Sequence, residues 1–232
     1  MLLGSDSLQH LCNSRVAVVG CGGVGAYAAE MLARAGVGRI LLLDSDCVGE
    51  SNINRQLIAL HSTVGRPKVE VLAERLRDIN PALELTLVGE YLNEGNVGEL
   101  LAGKVDCVVD AIDTLSPKIA LIQYCLGSDI PLVSSMGSGA KIDATRVRIA
   151  DISKTRMCPL AHMLRKRLHK LGIHEGFQAV FSEEEPIRTS MVIEESENKK
   201  SQVGTISYLP AVFGCVCSQA VIQLLLRTPA GE

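Results

Sequence analysis

The sequence contains almost no aromatic residues. Tryptophan is absent, and Phe, Trp and Tyr together make up 3% of the 232 residues. Because 47% of the residues are apolar, the chain can still bury a sizeable core, and that core must be aliphatic. An excess of positive charge is also lacking, since 23 Lys and Arg face 26 Asp and Glu and the net charge is -3. The charge of the whole chain therefore does not indicate a nucleic-acid partner, although a local basic patch can still bind one.

The sequence also lacks the cysteine spacings that are typical of disulfide frameworks and zinc sites. No two cysteines form a C-x-x-C pair, and Cys215 and Cys217 are too close together for the usual zinc knuckle. The first fifteen residues contain no long apolar run of the kind found in a secretory signal. We therefore expect buried free thiols, no structural zinc and a cytoplasmic location. The eight cysteines are Cys12, Cys21, Cys47, Cys107, Cys125, Cys158, Cys215 and Cys217.

One long segment, residues 207–226, has twenty residues without a charged side chain, which is close to the length that spans a bilayer. Pro210, Gly214 and three polar side chains interrupt it. Such interruptions are more typical of a buried helix or of a helix in a dimer interface. We therefore expect no stable membrane insertion.

The order of the apolar runs predicts the fold. Residues 16–19 and 40–43 read as buried strands, and a helix over residues 26–35 with its stop at Gly36 lies between them. Further strands are expected at 83–88, 105–109 and 131–135, with helices opened by Pro67 and Pro117. This β-loop-α-β order predicts an α/β fold with a doubly wound, Rossmann-like and mainly parallel sheet.

The pattern changes after about residue 140. Residues 141–152 alternate and predict antiparallel strands, residues 159–171 predict an amphipathic helix, and residues 177–181 predict a strand. Residues 183–204 are polar and predict a long mobile loop. The sequence therefore divides into a Rossmann-like core of residues 1–140 and an antiparallel and helical extension of residues 141–232.

A glycine-rich loop follows the first strand. Gly20, Gly22 and Gly25 fit the pattern G-x-G-x-x-G between a strand and a helix, where backbone N–H groups can approach phosphates. Asp44 ends the second strand, where a carboxylate can accept hydrogen bonds from ribose hydroxyls. These residues predict a nucleotide site, but they do not separate NAD from ATP.

The segment after Asp44 favours ATP. Asn52, Arg55 and Lys68 give this polar loop cationic and amide groups that a hydride-transfer enzyme has little need for. A nucleotidyl-transfer enzyme needs them, because charge builds on the α-phosphate and on the departing pyrophosphate. Taken singly, Arg55 or Lys68 is more often a solvated surface charge.

Two carboxylates, Asp110 and Asp113, come at the carboxyl end of a further strand, which is where ligands bind in such sheets. Asp113 can hold Mg²⁺ against the phosphates or cap the next helix. Asp110 could equally cap the loop, and it is a weaker metal candidate than Asp113.

In combination, these residues resemble the ubiquitin-activating-like adenylating enzymes, the superfamily of ThiF, MoeB and HesA. The matching motifs are Asp44-Ser-Asp46, Ser-Asn-Ile-Asn-Arg-Gln at 51–56, Lys68 and Asp113. The resemblance covers roughly residues 8–140 and implies an ATP- and Mg²⁺-dependent adenylation core, with Arg55, Lys68 and Asp113 catalytic and Mg²⁺ at Asp113. The implied ATP-binding residues are Gly20, Gly22, Gly23, Gly25, Asp44, Asp46, Asn52, Arg55, Gln56 and Lys68.

The segments 110–118, 131–137, 141–143 and 151–161 resemble those of one branch of this superfamily, which dehydrates N6-threonylcarbamoyladenosine in the tRNA anticodon loop. The resemblance implies that the threonyl carboxylate is adenylated and that attack from within the same modified base closes a ring and releases AMP. The alternative is adenylation of the C-terminal carboxylate of a ubiquitin-like sulfur carrier. A non-catalytic scaffold with a vestigial nucleotide fold is a second alternative.

A basic segment agrees with a tRNA substrate. Residues 152–174 contain no Asp or Glu, and on a helix their apolar side chains, Met163 and Leu171 among them, are expected to face inward. The outward residues would follow phosphates, although a solvated helix face is the common reading of such a run. The expected tRNA-binding residues are Lys154, Arg156, Arg165, Lys166 and Lys170.

The family resemblance also implies a homodimer and a sulfur-transfer partner of the cysteine desulfurase system. The family pattern starts upstream with an Arg that reaches into the partner's site, whereas the first Arg of this sequence is Arg15. We therefore expect this contribution either to lie on a segment upstream of the numbered start or to be absent. Cys158 offers a covalent thiol, but no activating base stands beside it in the sequence.

Overall fold

The apolar runs form the strands of one sheet of seven strands. The structure, a computed structural model, describes residues 2–103, 105–192 and 202–227. The strand order is β3-β2-β1-β4-β5-β7-β6, and every neighbouring pair is parallel except β6 with β7. This confirms the predicted doubly wound, mainly parallel sheet with an antiparallel end. The strands are β1 (Arg15–Val19), β2 (Arg39–Leu43), β3 (Glu84–Val88), β4 (Cys107–Asp110), β5 (Leu132–Ser135), β6 (Val147–Asp151) and β7 (Gln178–Ser182).

Helices cover both faces of the sheet, so the central strands are buried on both sides. The residues of β1 and β2 alternate between two apolar cores. Helices α1, α2, α3 and α7 lie on one face, and α4, α5 and α6 lie on the other. The helices are α1 (Gly4–Asn13), α2 (Gly25–Ala35), α3 (Lys68–Ile79), α4 (Val97–Leu100), α5 (Leu115–Gly127), α6 (Pro159–His169) and α7 (Tyr208–Leu225).

Helix α7 is long and apolar enough to cross a membrane by length and composition, and half of it is buried inside the protein. It packs most extensively against α2 and also contacts β4 and β5. Gly214 permits this close approach, because a Cβ built there would lie 2.5 Å from the carbonyl oxygen of Val24. The prediction of a buried helix is therefore confirmed for one face of α7.

Two helices begin at residues slightly different from those predicted, and one predicted helix end is confirmed. Pro67 is the N-cap residue of α3 and not its first helical residue, and α5 begins at Leu115, two residues before Pro117. Helix α2 ends at Gly36, whose φ of 91° places it in the left-handed region that glycine favours.

The C-terminal part of the chain continues the same sheet, because β7 pairs in parallel with β5. Only residues 147–151 of the predicted antiparallel strands over 141–152 form a strand. The predicted mobile loop 183–204 holds two short antiparallel strands, β8 (Met191–Val192) and β9 (Gln202–Val203), so its described ends are ordered by a ladder. The rest of that prediction, residues 193–201, lies outside the described residues.

Two expectations about exposure were wrong. Met163 and Leu171 are 42% and 51% exposed, because α6 buries only the narrow stripe of Ala161, Leu164 and Leu168. All eight cysteines are free, but Cys12, Cys47 and Cys215 are exposed and not buried.

Candidate functional site

The glycine loop lies at the carboxyl end of β1. In the sheet, β1 has β2 on one side and β4 on the other, and the strand order reverses at this point. Gly20 has a φ of +92°, and a Cβ there would meet the carbonyl oxygen of Ala111 at 2.8 Å. A Cβ on Gly25 would lie 1.7 Å from the carbonyl oxygen of Gly20. The loop thus requires glycine at both positions, and it opens onto the switch point where such sheets bind ligands.

Asp44 lies directly after β2 and borders the glycine loop. Its carboxylate accepts hydrogen bonds from the backbone N–H of Cys21 at 2.6 Å and from that of Asp46 at 2.9 Å. Burial raises the pKa of the Asp44 carboxyl above its ordinary value, against the lowering effects of nearby Lys68 and of the two N–H donors. The carboxylate is therefore held in a fixed orientation beside the loop, as a ribose acceptor requires.

Arg55 and Gln56 contact the glycine loop from the following segment. A Cβ on Gly23 would lie 3.7 Å from Cγ of Arg55, and a Cβ on Gly22 would lie 3.5 Å from Nε2 of Gln56. Gln56 is 8% exposed, and its Oε1 is buried without a hydrogen-bond partner among the described residues. An orphaned buried oxygen at this place indicates a donor supplied by a ligand or by water.

Lys68 is the first residue of α3 and is only 5% exposed. Its Nζ forms an ion pair of 2.7 Å with Asp46, and its backbone N–H donates to the carbonyl oxygen of Asp46. Asp46 itself is 68% exposed at its side chain. The exposed Asp46 carboxylate therefore pairs with the Lys68 ammonium group from the solvent side. An anionic phosphate can take the place of this carboxylate.

Asn52 ends a short 3-10 turn, Glu50–Asn52, and its Oδ1 accepts a hydrogen bond from the N–H of Gly49 at 3.1 Å. This bond fixes the turn that carries Arg55. Asn52 thus lies next to the loop-contacting residues in the chain, and its side chain bonds to Gly49 and not to the glycine loop itself.

Asp113 follows β4 and is exposed, and the N-cap of α5 is Thr114. The N-cap position of α5 thus falls on Thr114 and not on Asp113. Within the described residues no group of three or more His, Cys, Asp or Glu side chains could hold a metal ion. Mg²⁺ commonly binds one carboxylate together with phosphate oxygens and water, so Asp113 fits such a site and an all-protein cage is not required.

Sequence reasoning missed the partner of Asp110. Both Asp110 and Lys118 are fully buried, and Lys118 Nζ lies 2.8 Å from Asp110 Oδ2 and 2.9 Å from the carbonyl oxygen of Ile112. Ser134 Oγ donates to the same carboxylate at 2.6 Å. The pair fixes the turn at 111–112 on which Gly20 packs. In the sequence, only the position of Lys118 one turn into α5 could have indicated that it pairs with Asp110.

The predicted tRNA-binding residues separate into two groups. Arg165 donates to the carbonyl oxygen of Thr155 at 2.8 Å, and Arg156 forms an ion pair with Glu183. Lys154, Lys166 and Lys170 are exposed. The predicted basic surface therefore presents its lysines to solvent, whereas its two arginines are engaged by the protein.

Cys158 is 4% exposed and lies beside the turn at Gly137. Lys141, 2% exposed, donates to the carbonyl oxygens of Gly137 at 3.5 Å and Ser182 at 3.3 Å. Burial lowers the pKa of Lys141, although Cys158 and Glu184 act in the opposite direction. This enclosed setting disfavours Cys158 as an accessible covalent thiol.

The chain is similar in sequence and in structure to known proteins. The model of the ThiF family matches residues 1–232. The chain is 44% identical over 235 residues to the tRNA threonylcarbamoyladenosine dehydratase of Bacillus subtilis (strain 168), covering 98% of this chain and 92% of that protein. Its structure is similar to that of the Escherichia coli tRNA N6-threonylcarbamoyladenosine dehydratase, TcdA, in complex with ATP, with a TM-score of 0.89 and 38% identity over 97% of this chain and 90% of that one. The complex of the same enzyme with AMP gives a TM-score of 0.88 at 38% identity, covering 97% of this chain and 91% of that one.

Proposed function

The chain belongs to the ThiF family, and on that premise we propose that it is an ATP-dependent enzyme that dehydrates N6-threonylcarbamoyladenosine in tRNA. The observation that carries this proposal is the convergence of Arg55 and the Lys68–Asp46 pair beside a glycine loop that Asp44 borders. Similarity over nearly the full chain to dehydratases of this substrate supports the substrate assignment.

The reaction has two steps. In the first, an oxygen of the threonyl carboxylate forms a bond to the α-phosphorus of ATP, and the bond from that phosphorus to the β-phosphate oxygen breaks to release pyrophosphate. In the second, a nucleophilic atom of the same modified base attacks the activated carbonyl carbon, and AMP leaves with the carboxylate oxygen. The nucleophile gives up its proton as the ring closes, and AMP retains the carboxylate oxygen, so the nucleoside has lost the elements of water. Holding nucleophile and electrophile in one molecule supplies proximity.

Each residue at the loop has a role that its contacts support. The Asp44 carboxylate accepts from the ribose, and the backbone of the glycine loop approaches the phosphates. Arg55 and Lys68 stabilise the charge that grows on the α-phosphate and on pyrophosphate, and Lys68 exchanges Asp46 for a phosphate oxygen when ATP binds. Asn52 holds the turn, and Gln56 offers its orphaned oxygen to a donor of the nucleotide.

We assign the metal role to Asp113, whose exposed carboxylate stands at the carboxyl end of β4. Together with the triphosphate, it would hold Mg²⁺, which supplies positive charge to the phosphoryl oxygens.

The tRNA-binding surface consists of Lys154, Lys166 and Lys170, which are exposed around α6. Ammonium groups that are free to move are suited to phosphate contacts, and Met163, 42% exposed among them, adds apolar surface. Arg156 and Arg165 contact Glu183 and Thr155. We therefore expect these arginines to contribute less to phosphate binding than the lysines.

The assembly and location follow the family expectation. The exposed face of α7, an apolar helix that is half buried in one protomer, supports the homodimer. Free thiols at all eight cysteines are consistent with a cytoplasmic enzyme. A sulfur-transfer partner of the cysteine desulfurase system rests on the family resemblance alone.

The proposal is tested by incubating the protein with ATP, Mg²⁺ and tRNA carrying N6-threonylcarbamoyladenosine, followed by mass spectrometry of the nucleosides. We expect loss of one water from the modified nucleoside and release of AMP. Arg55→Ala and Lys68→Ala should lower kcat about 10²–10³-fold, as removal of a charge-stabilising donor does. The activity of Asp113→Ala should require a higher Mg²⁺ concentration than that of the wild type. Arg77→Ala removes an exposed charge from α3 and serves as the control.

Two results would sink the assignment. An unchanged nucleoside, together with adenylation of a ubiquitin-like carrier, would establish the sulfur-carrier alternative. Failure of the protein to bind ATP would establish the scaffold alternative.

A further inference from the structure

The side chain that holds Arg55 is a neighbour with no role assigned so far. We infer that Asn54 is a positioning residue, which orients the Arg55 guanidinium by tying it to the segment that precedes α7. The inference rests on the proposed function, because it concerns how Arg55 is presented to the phosphates of ATP.

Asn54 uses both ends of its amide. Nη1 of Arg55 donates to Oδ1 of Asn54 at 2.8 Å, and Nδ2 of Asn54 donates to the carbonyl oxygen of Thr205 at 3.1 Å. Nη1 also donates to the carbonyl oxygen of Ser51 at 2.8 Å. The Asn54 amide supplies an acceptor to Arg55 and a donor to Thr205 at once. Asp lacks the donor, and Ala lacks both groups.

The segment that receives Asn54 is well anchored. Gly204 N–H donates to the carbonyl oxygen of Ser190 at 2.8 Å, and Gly204 accepts from the N–H of Ala140 at 2.8 Å. Three residues after Thr205, the hydroxyl of Tyr208 donates to the carbonyl oxygen of Ile142 at 2.6 Å. Thr205 is therefore a fixed point, although it lies 151 residues from Asn54 in the chain.

The same segment also supports the glycine loop. A Cβ on Gly23 would lie 3.1 Å from Cβ of Pro210, which is in the first turn of α7. Gly23 is thus enclosed by Pro210 on one side and by the stem of Arg55 on the other. Residues 205–210 accordingly hold the two phosphate-binding parts of the site, the loop directly and Arg55 through Asn54.

The consequence is preorganisation. An Arg side chain has many rotamers, and two hydrogen bonds at Nη1 favour one of them. The guanidinium has further N–H groups that can bind a phosphate. Small errors in the placement of such a group are reflected mainly in the chemical step. Loss of Asn54 should therefore lower kcat more than it raises KM for ATP.

The test compares Asn54→Ala and Asn54→Asp with the wild-type protein in tRNA-dependent AMP release, with ATP binding measured separately by calorimetry. Asn54→Ala should lower kcat roughly tenfold and change KM for ATP less than about threefold. Asn54→Asp should be impaired to a similar degree, because it removes the donor to Thr205 and pairs Arg55 with a competing charge. In an Arg55→Ala background, Asn54→Ala should have no further effect, because Asn54 acts through Arg55.

The matched control is Asn96→Ala. Asn96 is another amide that bridges backbone groups, at Tyr91 and Asn93, and it is partly buried. Its substitution by Ala is expected to leave kcat unchanged. Equal activity of Asn54→Ala and the wild type, or the same fold loss with and without Arg55, would overturn the inference. A wild-type protein that neither binds ATP nor releases AMP would instead refute the proposed function, and the two failures are therefore distinguishable.

Discussion

At the scale of single residues, Asp110 and Lys118 form an ion pair in which both side chains are fully buried. Two opposite charges with no exposed surface hold the turn at 111–112, against which Gly20 packs. Such a pair gains little over well-packed apolar residues, but removal of one partner leaves the other charge uncompensated. The pair therefore stabilises both the fold and this arrangement of the turn.

We predict that Lys118→Met destabilises the protein by about 3–5 kcal/mol, because the Asp110 carboxylate is then buried without its cation. Urea unfolding at neutral pH measures this change. The double variant Asp110→Asn with Lys118→Met should recover part of the loss, whereas Lys166→Met on exposed α6 should change stability by less than about 0.5 kcal/mol. Equal stabilities of Lys118→Met and the wild type would contradict the uncompensated charge.

The residues of the site differ in how far the sequence could predict them. Gly20 and Gly25 follow from local sterics, and Arg55 and Lys68 follow from a short polar segment after a strand, so the sequence predicted their association. Lys118 could not be placed, because its partner depends on where α5 begins. Arg165 was assigned to tRNA, but a tertiary contact with Thr155 competes for it.

At the scale of elements, α7 connects the C-terminal part of the chain to the nucleotide loop. Gly214 allows α7 to approach α2 closely, since a Cβ there would meet Cβ of Tyr27 at 2.7 Å as well as the carbonyl oxygen of Val24. Val24 precedes the first residue of α2, so a shift of α7 would be transmitted to the glycine loop.

Gly214→Ala is therefore expected to destabilise the protein by about 1–3 kcal/mol, as overpacking of a tight contact does. Gly127→Ala is the matched control, because Gly127 is also helical but a Cβ there meets nothing within 4 Å. That control should stabilise the protein by about 0.5–1 kcal/mol. Thermal unfolding of the two variants should shift in opposite directions, and a shift in the same direction would show that the α7–α2 contact relaxes at little cost.

The elements that the sequence predicted best are those whose pattern reflects burial on both faces. Residues 16–19 and 40–43 are continuous apolar runs, and they became β1 and β2. Helix α1 was missed because its ten residues bury only Leu11. The ladder of β8 and β9 was missed because strands of two residues are too short to show an alternating pattern. Backbone bonds near the ladder, such as that from Ala140 to Gly204, cannot be read from the sequence.

At the scale of the whole molecule, the net charge of -3 opposes association with a polyanion. Attraction to tRNA must therefore come from the uneven distribution of charge. Lys154, Lys166 and Lys170 lie on the side of the sheet that carries α6, whereas Arg77 lies on α3 across the sheet. The three lysines and Arg77 therefore lie on opposite faces of the sheet.

Salt dependence distinguishes a binding face from a solvated one. Each lysine that contacts a phosphate releases counterions, so Lys166→Ala or Lys170→Ala should reduce the slope of log Kd against log salt by about 0.7–0.9. Arg77→Ala removes the same charge from the opposite face and should leave the slope unchanged, although it alters the net charge equally. Filter binding or anisotropy with modified tRNA over a range of potassium chloride concentrations measures these slopes. If the α6 lysines contact only water, all three variants will share the wild-type slope. The tRNA must then reach the nucleotide site by another surface.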